Sequence, residues 1–365
     1  MRAIFYAPIA RPDADAASGV QRMGRLMQRA LETTDVEVLQ LSLPRTFDGS
    51  GDAAFQELQR DGGARAAEDV VDQIRRAAIA KPDFWFSYHV YYKSPDWIGP
   101  HVCRALDIPY FIAEGSHAPK RQGGPWAIGH EGATRALSVA DRLFAMTAFD
   151  RECLDRLAPG RVRDLKPFID ASAFQGVQTR SGRAPRLLAV GMMRNERKRA
   201  SYALLADALR QLPDVKLTLT IAGDGVFRRE IEAMFQPRAP LHEVQFLSAV
   251  TPDRIPALMA SADIFAWPGL GEAYGLVFLE AQAAGLPVVA CRGRGVPDVT
   301  RADETALLGA AGDAAAYASN LRRLLGDAEL RHQMGESGGA FVLNERSVKA
   351  AARTMRAAFS EVGLD

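Results

Sequence analysis

The chain of 365 residues is 48% hydrophobic and 24% charged, with a formal net charge of +1. This is an ordinary globular composition with room for two domains of about 150–200 residues. It excludes the global basic field of a nucleic-acid binder, and no run approaches the ~20 apolar residues of a membrane span. Cys103, Cys153 and Cys291 are few and far apart. They predict neither a disulfide framework nor a metal cluster, and suit a reducing cytosol. The chain enters a strand-like run at once, without a signal-peptide pattern, so the expected location is cytoplasmic.

In the first half, strand-like runs recur at 3–7, 36–41, 84–89, 110–114 and 143–147, with helical patterns between them. This alternation predicts a parallel sheet flanked by helices. Ligands of such sheets sit beyond the C-terminal ends of the strands. After the first strand, a loop over 8–18 leads to Gly19 and a helix over 20–32. Gly19 opens a candidate anion cradle or merely a turn. Asp13 and Asp15 read as solvated loop acids. Arg22, Arg25 and Arg29 alternate with Met23, Leu26 and Met27. Such a helix can lie on an anionic membrane or pack one apolar face on the sheet. The dinucleotide fingerprint Gly-x-Gly-x-x-Gly is absent after the first strand, which argues against an NAD enzyme.

Two later loops concentrate polar and aromatic groups. The first holds His89, Tyr91, Tyr92 and Lys93. Aromatics beside donors suit a sugar ring, with its apolar face and hydroxyl rim; core aromatics beside a surface lysine are the alternative. The second holds Glu114, His117, Lys120 and Arg121. His117 can serve a sugar hydroxyl or a developing charge, or be structural, and the two cations can hold an anionic group. Periodicity is lost over 168–185, which reads as an interdomain linker.

The second half opens on a strand over 187–191, a cationic loop with Arg194, Arg197 and Lys198, and a helix over 200–212. Arginine binds phosphate oxygens bidentately and lysine acts as a compact charge, so this loop is a candidate diphosphate clamp; a solvated basic loop is the competing reading. A strand over 217–222 ends in Gly223-Asp224-Gly225, and 244–247 leads to Ser248. The richest stretch, 271–297, follows the apolar run 264–268. Glu272 stands in its loop, Gly275 opens a helix over 276–284, Glu280 lies one turn in, and Gly285 stops the helix. The N–H groups of Gly275, Leu276 and Val277 and the helix dipole favour an anion there. A phosphate at that end leaves Glu272 beside whatever the phosphate carries. Glu280 can accept from two neighbouring hydroxyls. Singly, each glutamate reads as an ordinary helix or surface acid; together they point to a sugar on a diphosphate. Asp313 is a candidate N-cap for a helix to about 325. Helical spacing over 345–362 places Val348, Ala351, Met355 and Phe359 on one face.

Glu272, Tyr274, Gly275, Glu280-Ala281, Gly285 and Pro287-Val288-Val289 resemble the signature of family 4 retaining glycosyltransferases, also called glycosyl transferases group 1. Asp170 and Phe174 match the passage between that family's domains. The resemblance implies the GT-B fold, an α/β architecture of two Rossmann-like doubly wound parallel-sheet domains facing across a cleft. Residues 1–170 would form the acceptor side and 171–344 the nucleotide-sugar donor side, with a helix over 345–365 returning to the first. Glu272 would meet the donor sugar and Glu280 the ribose, with His117 as a second catalytic residue. Arg194, Lys198, Gly275, Leu276, Val277 and Gly19 would bind the donor phosphates; Met192 stands where the family usually has arginine. His89, Tyr91, Lys93, Glu114, Lys120 and Arg121 are the candidate acceptor-binding residues.

The implied reaction is a retaining transfer from a nucleotide-diphosphate sugar to a glycan, lipid-linked or small acceptor. It needs no cofactor and no obligatory metal. No nucleophile stands out, so assistance by the leaving phosphate oxygen is expected rather than a covalent intermediate. Peripheral membrane contact is compatible, and a nucleic-acid partner is not expected. The rivals are a sugar-nucleotide epimerase on the same scaffold and a non-catalytic nucleotide-sugar binding protein. A glycoside hydrolase needs carboxyls about 5–9.5 Å apart, whereas helical residues eight apart are separated by roughly 12 Å.

Overall fold

The structure, a computed structural model, describes residues 1–9, 19–174, 185–194, 196–237 and 239–364. The chain divides into two units, one of Met1–Lys166 with Val348–Asp365, the other of Pro167–Ser347. Asp13, Asp15 and most of the expected linker lie outside the described residues.

The first unit holds strands β1 (Arg2–Tyr6), β2 (Glu37–Leu39), β3 (Phe84–Tyr88), β4 (Tyr110–Ala113), β5 (Arg142–Ala145) and β6 (Val162–Asp164). They pair in the order β2-β1-β3-β4-β5-β6, every pair parallel. Alternate residues of a strand face opposite sides, and a parallel sheet must be covered on both. Trp85, Tyr110, Ile112 and Leu143 accordingly join one buried cluster with Val70, Val102 and Ala136 of the flanking helices. Phe84, Phe86, Phe111 and Phe144 form the other face. Phe359, on the helix Val348–Ser360, closes that face with its ring 4.8 Å from those of Phe84 and Phe111. Glu361, just beyond that helix, takes Arg142 at 2.7 Å and Arg163 at 2.6 Å.

The second unit holds β7 (Arg186–Val190), β8 (Leu217–Ala222), β9 (His242–Leu247), β10 (Ile264–Ala266), β11 (Val288–Cys291) and β12 (Ala306–Gly309). Its order is β12-β11-β10-β7-β8-β9, again all parallel. The strand order reverses between β7 and β10. Loops leaving such a switch point splay apart and leave a crevice at the strand ends. Those two loops lead to Lys198 and Glu272. In the first unit the reversal lies between β1 and β3, and His89 follows β3.

Several helices are anchored by the loops that precede them. Asp52 caps the helix Ala53–Arg75, accepting from Ala54 N at 2.9 Å and Phe55 N at 3.2 Å. Thr147 caps Ala148–Leu157, and Asp313 caps Ala314–Gly326. The helix expected over 345–362 is Val348–Ser360, starting three residues later than the pattern because the preceding helix runs to Glu345. Ser347 falls in the break between the two, and its Oγ donates to Leu343 O at 2.8 Å.

Candidate functional site

In the second unit, the loop after β10 begins with Trp267, fully buried, and runs to Gly275. Gly275 has φ 72°, a left-handed conformation that costs an L side chain but not glycine. It caps the helix Leu276–Ala283, whose first turn carries no acid. Next to this loop, a Cβ on Gly295 would stand 1.9 Å from Ala273 O, so only glycine lets the 292–297 loop support it from behind. Ser201 Oγ accepts from Leu270 N at 2.9 Å and fixes the other side.

Lys198, on the helix Glu196–Arg210 after β7, ion-pairs with Glu272 Oε1. The Trp267 indole N–H donates to the same oxygen at 3.1 Å, and the Lys198 ammonium lies 5.4 Å from the Trp267 ring centre. The two charged side chains are 19% and 12% exposed, open enough to meet a ligand and sheltered enough for charge to count. Beneath them the Tyr202 hydroxyl donates to Gly191 O at 2.6 Å. Burial, and then the Glu272 charge, push the Tyr202 hydroxyl far above its ordinary range, so it stays a neutral donor. Glu280 is 3% exposed, one turn into the helix that Gly275 opens.

Of the residues named for donor binding, Lys198, Glu272, Gly275, Leu276, Val277 and Glu280 thus gather at the switch point. Arg197 is exposed with its stem over the Gly271 turn, at 2.5 Å from the position of a Cβ there. Arg194 is exposed on the neighbouring loop, its stem beside Gly225. Gly19, in the other unit, is the exposed first residue of the helix Gly19–Glu32. Sequence reasoning does not single out Trp267, Tyr202 or Ser201. The available signal is an indole at the end of a strand, immediately before the acidic loop.

In the first unit, His89, Glu114 and Asp150 follow β3, β4 and β5. His89 and Glu114 both have left-handed backbones, φ 65° and 56°. Each is pinned to its neighbour strand, His89 N to Ala113 O at 2.9 Å and Glu114 N to Phe144 O at 3.1 Å. His89 Nδ1 lies 3.1 Å from Glu114 Oε1, within ion-pair range but off the line of a good hydrogen bond. Burial pulls the His89 pKa down, yet the Glu114 carboxylate, with Asp150 behind it, outweighs burial and raises it. Asp150, held by Thr147 at 2.7 Å, is itself raised, chiefly by burial. Asp150 and Thr147 also escape sequence reasoning, since helix-capping pairs carry no functional pattern.

A run of edge-on rings continues outward: His89 to Tyr91 at 5.1 Å, Tyr91 to Tyr92 at 5.4 Å and Tyr92 to Trp126 at 5.8 Å. Burial, with Tyr92 and Glu114 adding, pushes the Tyr91 hydroxyl up to about 12. Lys93 lies 4.6 Å from the Trp126 ring centre, and Arg121 5.3 Å from Trp126 and 5.2 Å from Tyr92. Lys120 is exposed beside them. His117 joins His130, ring centres 5.5 Å apart, and burial and the His130 charge lower its pKa. The first unit therefore presents three groupings: His89, Tyr91 and Glu114; Lys93 and Arg121; and His117 with His130. Among the described residues, no group of three or more His, Cys, Asp or Glu is placed to hold a metal ion. None of the described helices is long and apolar enough to cross a membrane.

Residues 175–340, nearly the whole second unit, match the family model "Glycosyl transferases group 1". The second unit is a group 1 glycosyl transferase domain. Among curated proteins, the chain is 34% identical to the sulfoquinovosyl transferase SQD2 of Arabidopsis thaliana over 140 residues, 38% of this chain and 26% of that protein. It is 30% identical to the D-inositol 3-phosphate glycosyltransferase of Salinispora arenicola over 238 residues, 58% of this chain and 53% of that one. The chain spans between about a fifth and three fifths of the length of the curated relatives it matches. Among solved structures, sucrose-phosphate synthase from Thermosynechococcus elongatus has a TM-score of 0.71 at 20% identity, covering 99% of this chain and 98% of that one. Anabaena HepE in complex with UDP-glucose has a TM-score of 0.66 at 16% identity, covering 99% and 100%. The fold of the group 1 domain and its companion unit is that of the GT-B glycosyltransferases, two six-stranded parallel sheets with helices on their faces.

Proposed function

We propose that this protein transfers a sugar from a nucleoside-diphosphate donor to a hydroxyl-bearing acceptor, with retention at the anomeric carbon and no obligatory metal. The observation that carries the reading is the Lys198–Glu272 pair at the switch point of the group 1 domain, beside the Gly275 helix start. A diphosphate at the Gly275–Val277 N–H groups would meet the Lys198 ammonium, with Arg194 and Arg197 at the rim. Glu272 would then face the sugar, and Glu280 the ribose hydroxyls. Positive charge and aligned N–H groups already in place lower the cost of the departing diphosphate, the kind of preorganisation that often dominates catalysis. Attack on the same face would be assisted by the leaving phosphate oxygen. HepE was solved with UDP-glucose, which makes uridine the first base to try.

Calorimetry with UDP, GDP and ADP, with and without EDTA, tests the donor half. The expected result is selective, EDTA-insensitive binding, lost in Glu280→Ala. Saturation at a hundred times the dissociation constant should add about 2.7 kcal/mol of stability. Incubation of the nucleotide sugar without acceptor then separates the rivals: an epimerase yields a second sugar nucleotide, while a transferase yields at most slow hydrolysis. No binding of any nucleotide by a folded sample refutes the reading.

A further inference from the structure

Lys93 and Arg121 are two cations held against the same indole, that of Trp126. Like charges brought together repel, and a cation–aromatic contact returns only about 0.5–2 kcal/mol each. Among the described residues neither cation is ion-paired to a carboxylate. Asp48, a buried acid on the adjoining loop, is engaged elsewhere: its side chain accepts from Ser50 N at 2.8 Å, Gly51 N at 3.0 Å and Gln56 Nε2 at 2.8 Å. Arg121 Nε is shielded from solvent and has no hydrogen-bond partner, a costly state for a charged donor.

The loops around this pair are tied to one another by hydrogen bonds. Trp126 Nε1 donates to Asp48 O at 3.3 Å, and Asp48 N donates to Lys93 O at 2.8 Å. Gln56 ties the far side, donating to Pro125 O at 2.7 Å and accepting from Gly129 N at 2.9 Å. At the other end of the ring run, Glu114 and Asp150, beside His89, offer carboxylate acceptors suited to hydroxyl groups, not to phosphate.

We infer that Lys93 and Arg121, seated on Trp126 and Tyr92, form an anion subsite, and that the acceptor is a polyhydroxylated molecule bearing a phosphate or a carboxylate. The guanidinium offers its terminal N–H groups to two oxygens at once, and the ammonium supplies the second charge. The hydroxyl end of the ligand lies toward Glu114. The word acceptor rests on the transferase reading; the subsite does not.

The test is calorimetric titration of the intact protein with glucose 6-phosphate, glucuronate and glucose, alongside UDP. Glucose 6-phosphate or glucuronate is expected to bind and glucose not, and the stronger of the two names the anion. Arg121→Gln and Lys93→Gln should each weaken that binding by about tenfold or more, while Arg121→Lys retains part of it and UDP binding stays unchanged. Circular dichroism checks folding, and Lys93→Gln carries the test if Arg121→Gln does not fold. Equal binding of glucose and its anions, or no binding at tens of millimolar, overturns the inference. So does a loss of anion binding in Lys198→Gln but not in the Lys93 and Arg121 variants, because the anion then sits in the donor site. In each of these cases UDP binding is measured independently, so the transferase reading stands or falls by itself.

Discussion

Replacing Glu272 by glutamine removes one negative charge and almost nothing else. The amide oxygen still accepts the Trp267 indole N–H, which now reaches the carboxylate at 3.1 Å. Lys198, at 19% exposure, can turn its freed ammonium toward water, so the stability loss should be only about 1 kcal/mol. The effect on ligand binding has the opposite sign. The carboxylate holds the ammonium that is proposed to meet the diphosphate, and it would also repel the diphosphate itself. At a separation of ~5 Å and an effective dielectric of ~20–40, each unit of that repulsion is worth about 2–3 kcal/mol. Allowing for solvent at a partly open site, a bare nucleoside diphosphate should bind roughly 10–100-fold more tightly to Glu272→Gln than to the wild type. Turnover should fall steeply in the same variant, since the group proposed to face the sugar is gone. Isothermal calorimetry with the preferred nucleoside diphosphate measures the first quantity, and release of that diphosphate from the donor measures the second. Unchanged or weaker affinity would mean that Lys198 and Glu272 do not face the phosphates, and the reasoning fails.

Two glycines give a paired contrast in the group 1 domain. Gly295→Ala drives a Cβ to 1.9 Å from Ala273 O and should cost about 3 kcal/mol with loss of donor binding. Gly285→Ala meets no atom within 4 Å but keeps φ 77°, so only about 1–2 kcal/mol of backbone strain is expected, with donor binding intact. Urea midpoints and calorimetry check both, and equal costs would contradict the packing argument. For His89 the sign follows from a raised folded-state pKa: its ionic contribution is complete below the unfolded value of about 6.5 and is lost as pH rises through the raised value. Glu114→Gln should move the His89 imidazole titration, followed by NMR, to lower pH and shrink the decline of stability above neutrality. An unmoved titration would assign the shift to another group.

The parts of the molecule visible in the sequence are those whose physics is local. The strands over 84–88 and 110–113 stand out as apolar runs ending in polar loops, and Gly275 and Gly285 bracket a helix that needs no distant partner to be recognised. β6 (Val162–Asp164) and β12 (Ala306–Gly309) do not stand out, because a three- or four-residue edge strand carries too short a pattern. Lys198 and Glu272 are each legible, but their pairing spans 74 positions and depends on β7 lying next to β10, which periodicity does not encode. The same holds for Asp150. Its sequence neighbours describe a helix cap, and only the register of β3, β4 and β5 sets it near His89 and Glu114. The break at Ser347 is hidden because Glu345 and Arg346 are good helix formers and no glycine or proline marks the stop.

Phe359 reaches Phe84 and Phe111 from the far side of an inserted domain, which bears on the order in which the protein is made. A ribosome delivers the first 166 residues of that unit, then all 181 of the other, before the helix Val348–Ser360 emerges. At about 5–20 residues per second the wait is of the order of ten seconds or more. Through that interval the part of the aromatic face that Phe359 covers is left open, while the group 1 domain has every strand it needs to fold. A nascent chain stalled before Val348 should therefore carry a finished group 1 domain and a sticky, chaperone-dependent companion, and the Phe359 ring is the last piece that releases it.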